Sequence, residues 1–233
     1  MKDKTIMNIK NAIKLLWKLN LYKTIIFNFH YFPKKTAFKF PVYIYKHTSL
    51  YRLKGAIIID APIKTGMLCV GEHGVGTIDS HYARTIWDIY GVVCIRGKAN
   101  IGRGSKISVG MNARLTLGNN FIITGNSEII SENAISFGND CILSWDILIM
   151  DTDFHKIHYK NAKEIINKPK PIQIGSHVWI GCRTSILKGV VIADNNIIAS
   201  NSIITKSILN SYNIIGGNGS EQKQLKTNVV WDY

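Results

Sequence analysis

Between Ile174 and Lys206 an aliphatic residue recurs at every sixth position: Ile174, Ile180, Ile186, Ile192, Ile198 and Ile204. The fifth residue of each unit is small or modest: Val178, Thr184, Val190, Asn196 and Ser202. A period of six is neither the 3.6 of a helix nor the 2 of a lone strand. It belongs to a chain that runs one short strand, turns a corner and repeats. Three such sides make one coil of a β-helix, with aliphatic side chains stacked inside and smaller residues at tight corners.

The same period reaches upstream through Ile95, Ile101 and Ile107, then Leu117, Ile123 and Ile129. Phe137, Leu143 and Ile149 resume it two residues out of phase after IISENAIS, which predicts a bulged corner. GRGS, GNN, TGN and GND separate these runs and suit corners with unusual backbone angles. At about 18 residues per coil, residues 93–209 predict roughly six coils and a prism on the order of 30 Å long.

Three segments depart from the pattern and set the expected organisation. Residues 1–52 form an N-terminal unit, helical to about residue 30 and then irregular around Pro33 and Pro41. Residues 53–209 form the β-helix, interrupted by a polar, Lys-rich excursion over 150–173, MDTDFHKIHYKNAKEIINKPKPIQ. A loop of that length leaving a repeat often carries function. Residues 210–233 form a tail that folds back as a strand or helix.

Composition adds constraints. Hydrophobic residues are 46% of the 233, mean hydropathy is +0.04, and no apolar run reaches the ~18 residues of a membrane span. Cys69, Cys94, Cys141 and Cys182 show no CxxC pair and no metal-ligand spacing, which predicts buried thiols in a reduced, cytoplasmic protein. The N-terminus lacks a small-residue cleavage site and does not read as a secretory signal.

Net charge is +14, from 29 basic and 15 acidic residues. No aromatic-interleaved basic motif accompanies it, which argues against nucleic acid and leaves small polyanions or an anionic membrane surface. Lys2, Lys4, Lys10, Lys14, Lys18 and Lys23 line the N-terminal segment, where Ile9, Ile13, Leu16, Trp17 and Leu21 fall at helical spacing. The preferred expectation packs that stripe on the prism with its lysines in water. Peripheral contact with the inner membrane surface is the other reading, and both can hold.

Asp151, Asp153 and His155 open the excursion at alternate positions. In an extended segment they share a face, so a carboxylate can fix one imidazole nitrogen and leave the other to take a proton. A solvated histidine beside two surface aspartates is the plainer reading of the spacing alone.

DTDFHKI, followed by HVWIGCRTSILKGVVIADNNIIASNSIITKS, closely resembles the hexapeptide-repeat acyltransferases. The likeness is to maltose and galactoside O-acetyltransferases and to acetyltransferases of capsule and exopolysaccharide assembly. KGAIIIDAPIKTG and GNNFIITGNSEIIS extend it across most of residues 50–210. The resemblance implies an all-β, left-handed parallel β-helix and a homotrimer with active sites between neighbours. It implies acetyl-CoA as donor, a sugar hydroxyl as acceptor, no metal, and His155 as general base with Asp153 and Asp151 beside it. Trp179 matches the tryptophan lining the cofactor cleft, Cys182 falls near the pantetheine arm, and Ser200, Thr205 and Lys206 lie along the cofactor path.

This chain departs from the family where Lys156 follows the histidine in place of proline. Glu221 stands where a C-terminal lysine is common, and His158 offers a second imidazole. Three alternatives stay open: a catalytically silent scaffold or glycan-binding module, an N-acetyltransferase on an amino sugar, and a zinc enzyme of the gamma carbonic anhydrase type built on His155, His158 and His177.

Overall fold

The computed structural model of the chain describes residues 10, 11, 13–72, 74–79 and 81–232, so the expectations placed on Lys2, Lys4 and Ile9 lie outside the described residues. The chain lays one short strand on each of three sheets in turn. Partners in a ladder therefore come from the coil before and the coil after. Sheet one runs from Val42–Ile44 to Asn213–Gly216, sheet two from Thr48–Leu53 to Ile203–Ile204, and sheet three from Ala56–Ile59 to Val191–Ile192. This is a parallel β-helix.

The six-residue period becomes three interior columns. Ile44, Val70, Ile101, Ile123, Leu143, Ile180 and Ile198 stack on sheet one, each the register partner of the next. Trp87, Ile107, Ile129, Ile149, Ile186 and Ile204 do the same on sheet two. All of these side chains are buried. Each contributes roughly 1.5–3 kcal/mol of apolar burial, and that burial sets the register.

The corners follow from backbone sterics. Asn126, Asp146, Arg183 and Asn201 turn the corner from sheet one to sheet two at positive φ; Asn120, Asp140, His177 and Asn195 turn the one from sheet three to sheet one. Asn and Asp tolerate that region better than other side chains. Beside the second corner a column of side chains ties coil to coil. Lys98 N–H donates to Asn119 (2.9 Å), Asn119 N–H to Asn139 (2.9 Å), Asn139 N–H to Ser176 (3.1 Å) and Ser176 N–H to Asp194 (2.7 Å).

Coil length corrects the sequence expectation. Val92 pairs with Arg114, Arg114 with Ala134 and Ile135 with Ile172, which gives coils of 22, 20 and 37 residues before the 18 that separates Gln173 from Val191. From Trp87 to Ile204 the extra residues all enter at the corner between sheets two and three. The β-helix also begins earlier than residue 53, since Val42–Ile44 and Thr48–Leu53 already pair with the next coil.

Both ends of sheet one are covered. Helix α1, Leu21–Tyr31, is capped by Asn20, whose side chain accepts from Lys23 N–H at 3.0 Å, and stops at extended Phe32 before Pro33. Its buried Asn28 donates to Val42 C=O (2.7 Å) and accepts from Val42 N–H (3.1 Å); Thr24 exchanges bonds with both backbone groups of Ile44. These polar side chains stand in for a missing strand and close the sheet edge. At the far end Lys223–Thr227 folds back antiparallel on Asn213–Gly216 as a strand, one of the two forms, strand or helix, that the sequence left open for the tail.

The N-terminal stripe corrects the other expectation. Ile13, Leu16, Trp17 and Leu21 are exposed rather than packed on the prism: the helix breaks at Leu19, which bridges Tyr45, and Asn20, and α1 beyond the break turns Thr24, Phe27 and Asn28 inward.

Candidate active site

The excursion leaves sheet two after Leu148–Met150 and rejoins sheet three at Ile172–Ile174. Asp151 anchors it. Its carboxylate, fully buried, accepts from Ser131 Oγ (2.9 Å), Glu132 N–H (2.7 Å) and Asn133 N–H (3.0 Å), the residues of the out-of-phase corner. Lys170 N–H closes the neck of the loop on Asp151 C=O at 3.1 Å.

Residues 151–155 are not extended, so the shared face expected from alternation does not form. Phe154 takes φ 59°, and His155 N–H turns back onto Asp153 C=O at 2.6 Å. Asp153 pairs with Lys188 and accepts from Asn167 Nδ2 at 2.9 Å. Lys188 first, then Asn167, holds its carboxyl below the ordinary carboxylate range. Neither aspartate bonds the His155 ring; both organise the loop that carries it.

Asn167 is the residue the sequence reading missed. Besides Asp153 it donates to His155 C=O (2.7 Å) and accepts from Ile157 N–H (2.7 Å), so one amide fixes the backbone on both sides of Lys156. Among the described residues the His155 imidazole has no hydrogen-bond partner, whereas His158 Nδ1 lies 3.1 Å from Glu164 C=O. His155 lines an open cavity of about 260 Å³ with Glu132, Thr152, Phe154, Asn167 and Pro169. Burial, then the neighbouring Asp151, pushes the Glu132 carboxyl up. Glu132 was also missed, because it is 23 residues from His155 in sequence and nothing periodic connects them.

The remaining candidates fall in separate places. Trp179 stands on sheet one, 39% exposed, with Nε1 donating to Ser144 Oγ at 3.2 Å. Cys182 and Ser200 meet at the corner between sheets one and two, Sγ to Oγ 3.5 Å. Thr205 and Lys206 sit at the corner between sheets two and three, the corner of the His155 loop. Their N–H groups share Gln222 Oε1 (3.2 and 3.1 Å), and Lys206 Nζ donates to Ser220 C=O at 3.1 Å. The cavity at His155 includes none of these five residues.

A clasp from the tail adds a further residue. Trp231 stacks on His177 at 4.2 Å and 5°, donates Nε1–H to His177 C=O at 3.1 Å, and lies 6.2 Å from Trp179. It braces the aromatic proposed for the cofactor wall, and it also places His177 away from His155 and His158.

These features define a parallel β-helix with a free imidazole on a pinned loop and an exposed tryptophan on the prism. Residues 171–206 match the family model described as bacterial transferase hexapeptide (six repeats), so the repeat read from the sequence is of that type, and the fold is the left-handed parallel β-helix expected. A polysialic acid O-acetyltransferase of Escherichia coli O1:K1 / APEC is 30% identical over 138 residues, 59% of this chain and 41% of that protein. A galactoside O-acetyltransferase of Escherichia coli (strain K12) is 33% identical over 96 residues, 41% of this chain and 47% of that protein. The matches thus span less than half the length of these relatives. A crystal structure of the polySia specific acetyltransferase covers 82% of this chain and 72% of its own at 25% identity, with a TM-score of 0.49.

Proposed function

We propose that the chain is an acetyl-CoA-dependent O-acetyltransferase acting on a sugar hydroxyl of a cell-surface polysaccharide. The single observation that carries this reading is the His155 imidazole. Among the described residues it has no hydrogen-bond partner; it is open to a cavity and held by a loop whose backbone is fixed through Asp151, Asp153 and Asn167. The named activities of the relatives support the reaction class.

In this mechanism the basic nitrogen of His155 takes the proton of the acceptor hydroxyl as its oxygen attacks the thioester carbonyl. A C–O bond forms, the C–S bond breaks, and the imidazolium returns its proton to the departing thiolate. General-base assistance is worth about 10²–10⁴ in rate, roughly 3–5 kcal/mol of barrier. Trp179 offers an exposed apolar face to the donor, Cys182 and Ser200 a small-residue corner, and Lys206 an ammonium suited to a phosphate. Because Trp179, Cys182 and Ser200 lie away from the corner that carries His155 and Lys206, the reading calls for a homotrimer whose neighbours bring complementary faces together. In the same reading the enzyme works on the cytoplasmic side, with its basic N-terminus against the inner membrane surface.

Calorimetric titration tests the donor. Acetyl-CoA should bind the wild type in the micromolar range, about −8 kcal/mol, and Lys206→Ala should weaken that binding more than it slows turnover. A folded trimer that binds neither CoA nor acetyl-CoA would leave Trp179 and Lys206 as structural residues of a silent scaffold.

A further inference from the structure

Helix α1 is apolar on its outward side as well as at its buried Phe27. It buries Thr24 and Asn28 beside Phe27 to close the sheet edge, and turns Lys23 and His30 back toward Thr48 C=O and Leu53 C=O. Its outward stripe is Tyr22, Ile25, Ile26 and Phe29, at positions i, i+3, i+4 and i+7, all exposed. Trp17 and Tyr22 are each 73% exposed, and Leu16 and Leu21 extend the surface. Phe38, from the short helix α2 (Lys34–Ala37) and its cap, packs edge-on against Phe29 at 5.0 Å and is itself exposed. Isolated exposed apolar residues need no explanation, but a continuous aromatic and aliphatic face does.

Charge says what covers it. Residues 1–59 contain twelve of the 29 basic residues and only one of the 15 acidic ones, so this quarter of the chain carries +11 of the net +14. Lys10, Lys14 and Lys18, which precede the stripe in the chain, and Lys34, Lys35 and Lys39, which follow it, are all exposed. Lys46 sits over the Trp17 ring at 5.8 Å. A second copy of the chain would bring either the same +11 surface or a remainder with net +3 against it, so charge complementarity disfavours it. An anionic bilayer surface supplies both requirements at once, an acyl boundary for the apolar stripe and phosphate-bearing headgroups for the lysines.

We infer that the outward face of the N-terminal helices is a docking surface for an anionic lipid membrane, with Trp17, Tyr22, Ile25, Ile26 and Phe29 at the headgroup boundary. The inference deepens the membrane contact proposed above and rests on it, while standing apart from acetyl transfer. The occupied end of the prism is the first-coil end, which leaves the His155 loop, four coils further along, free of the lipid plane. In this arrangement the membrane holds the enzyme by its cap and the acceptor reaches it from the side.

Co-sedimentation of the full chain with lipid vesicles tests it. Phosphatidylcholine vesicles containing about one-third phosphatidylglycerol should retain the protein, and pure phosphatidylcholine should not. Reversing Lys34, Lys35 and Lys39 to Glu should weaken binding on the order of 100-fold. Ile25→Ser with Ile26→Ser should weaken it in low salt as well, where charge alone would suffice. Equal binding to both vesicle types, or none to either, overturns the inference whatever the variants do. So does a fall in oligomeric size on Ile25→Ser/Ile26→Ser, which would identify a second copy as the occupant. Acetyl-CoA affinity measured on the same samples separates this result from the acyl-transfer reading, because neither substituted surface touches Trp179, Cys182 or Lys206.

Discussion

Residues 172–206 and the loop over 151–171 are adjacent in sequence and held together by opposite means. The coils bury an aliphatic residue every sixth position, and their ladders have partners above and below. The loop buries almost nothing beyond Asp151 and Thr152 and is shaped by side-chain bonds from Asp151, Asp153, Asn167 and Lys188. A stack of like coils is stable but uniform. The loop adds the cavity beside His155 because it leaves the stack, at the corner where the period slips.

That contrast can be broken from either side. Ile186→Ala, in the sheet-two column, should cost about 2–5 kcal/mol by denaturant unfolding, since the neighbouring coils cannot collapse into the space. Asp151→Ala should cost less, about 1–3 kcal/mol, by stranding the buried Ser131 hydroxyl and the part-buried Glu132 and Asn133 N–H groups it now accepts from. If Asp151→Ala proved as costly as Ile186→Ala, the loop would be part of the core and the division would fail.

A smaller effect on stability belongs to Asp153 and Lys188, and pH reads it. Lys188, and after it Asn167, holds the Asp153 carboxyl below the ordinary carboxylate range in the folded chain. A depressed folded value contributes stability that is present above the unfolded value and is lost as pH falls through the folded one. Any difference in melting temperature between wild type and Lys188→Met should therefore fade as pH drops below about 4. A difference that stayed constant down to pH 2 would assign it to packing of the lysine stem instead. Asn167→Ala should leave melting nearly unchanged and reduce turnover by about tenfold, because it loosens the backbone around His155 without emptying any buried volume.

The sequence displayed what repeats and concealed what does not. Ile95, Ile101 and Ile107 announced three sheets, and the slip after Ser131 announced the corner that Asp151 closes. A period is local information, readable without knowing what lies opposite. The bonds from Asn28 to Val42, from Asn167 to Asp153 and from Trp231 to His177 cross 14 to 54 residues with no rhythm to expose them. The expected packing of Ile13, Leu16 and Trp17 failed for a related reason. Helical spacing assumes one unbroken helix, but the chain breaks at Leu19 and Asn20, and the helix that meets the prism turns Thr24, Phe27 and Asn28 inward to close a sheet edge. The candidate site was legible as the residue pair Asp153 and His155, but not as a geometry, since Phe154 turns the backbone between them.

The central claim is that the pinned loop exists to present one free imidazole. Turnover of acetyl-CoA with a sugar acceptor by His155→Ala, measured beside its unfolding midpoint, tests that most directly. The account predicts a loss of about 10²–10⁴ in kcat with an unfolding midpoint and acetyl-CoA affinity close to wild type. Unchanged turnover in the folded variant would contradict it.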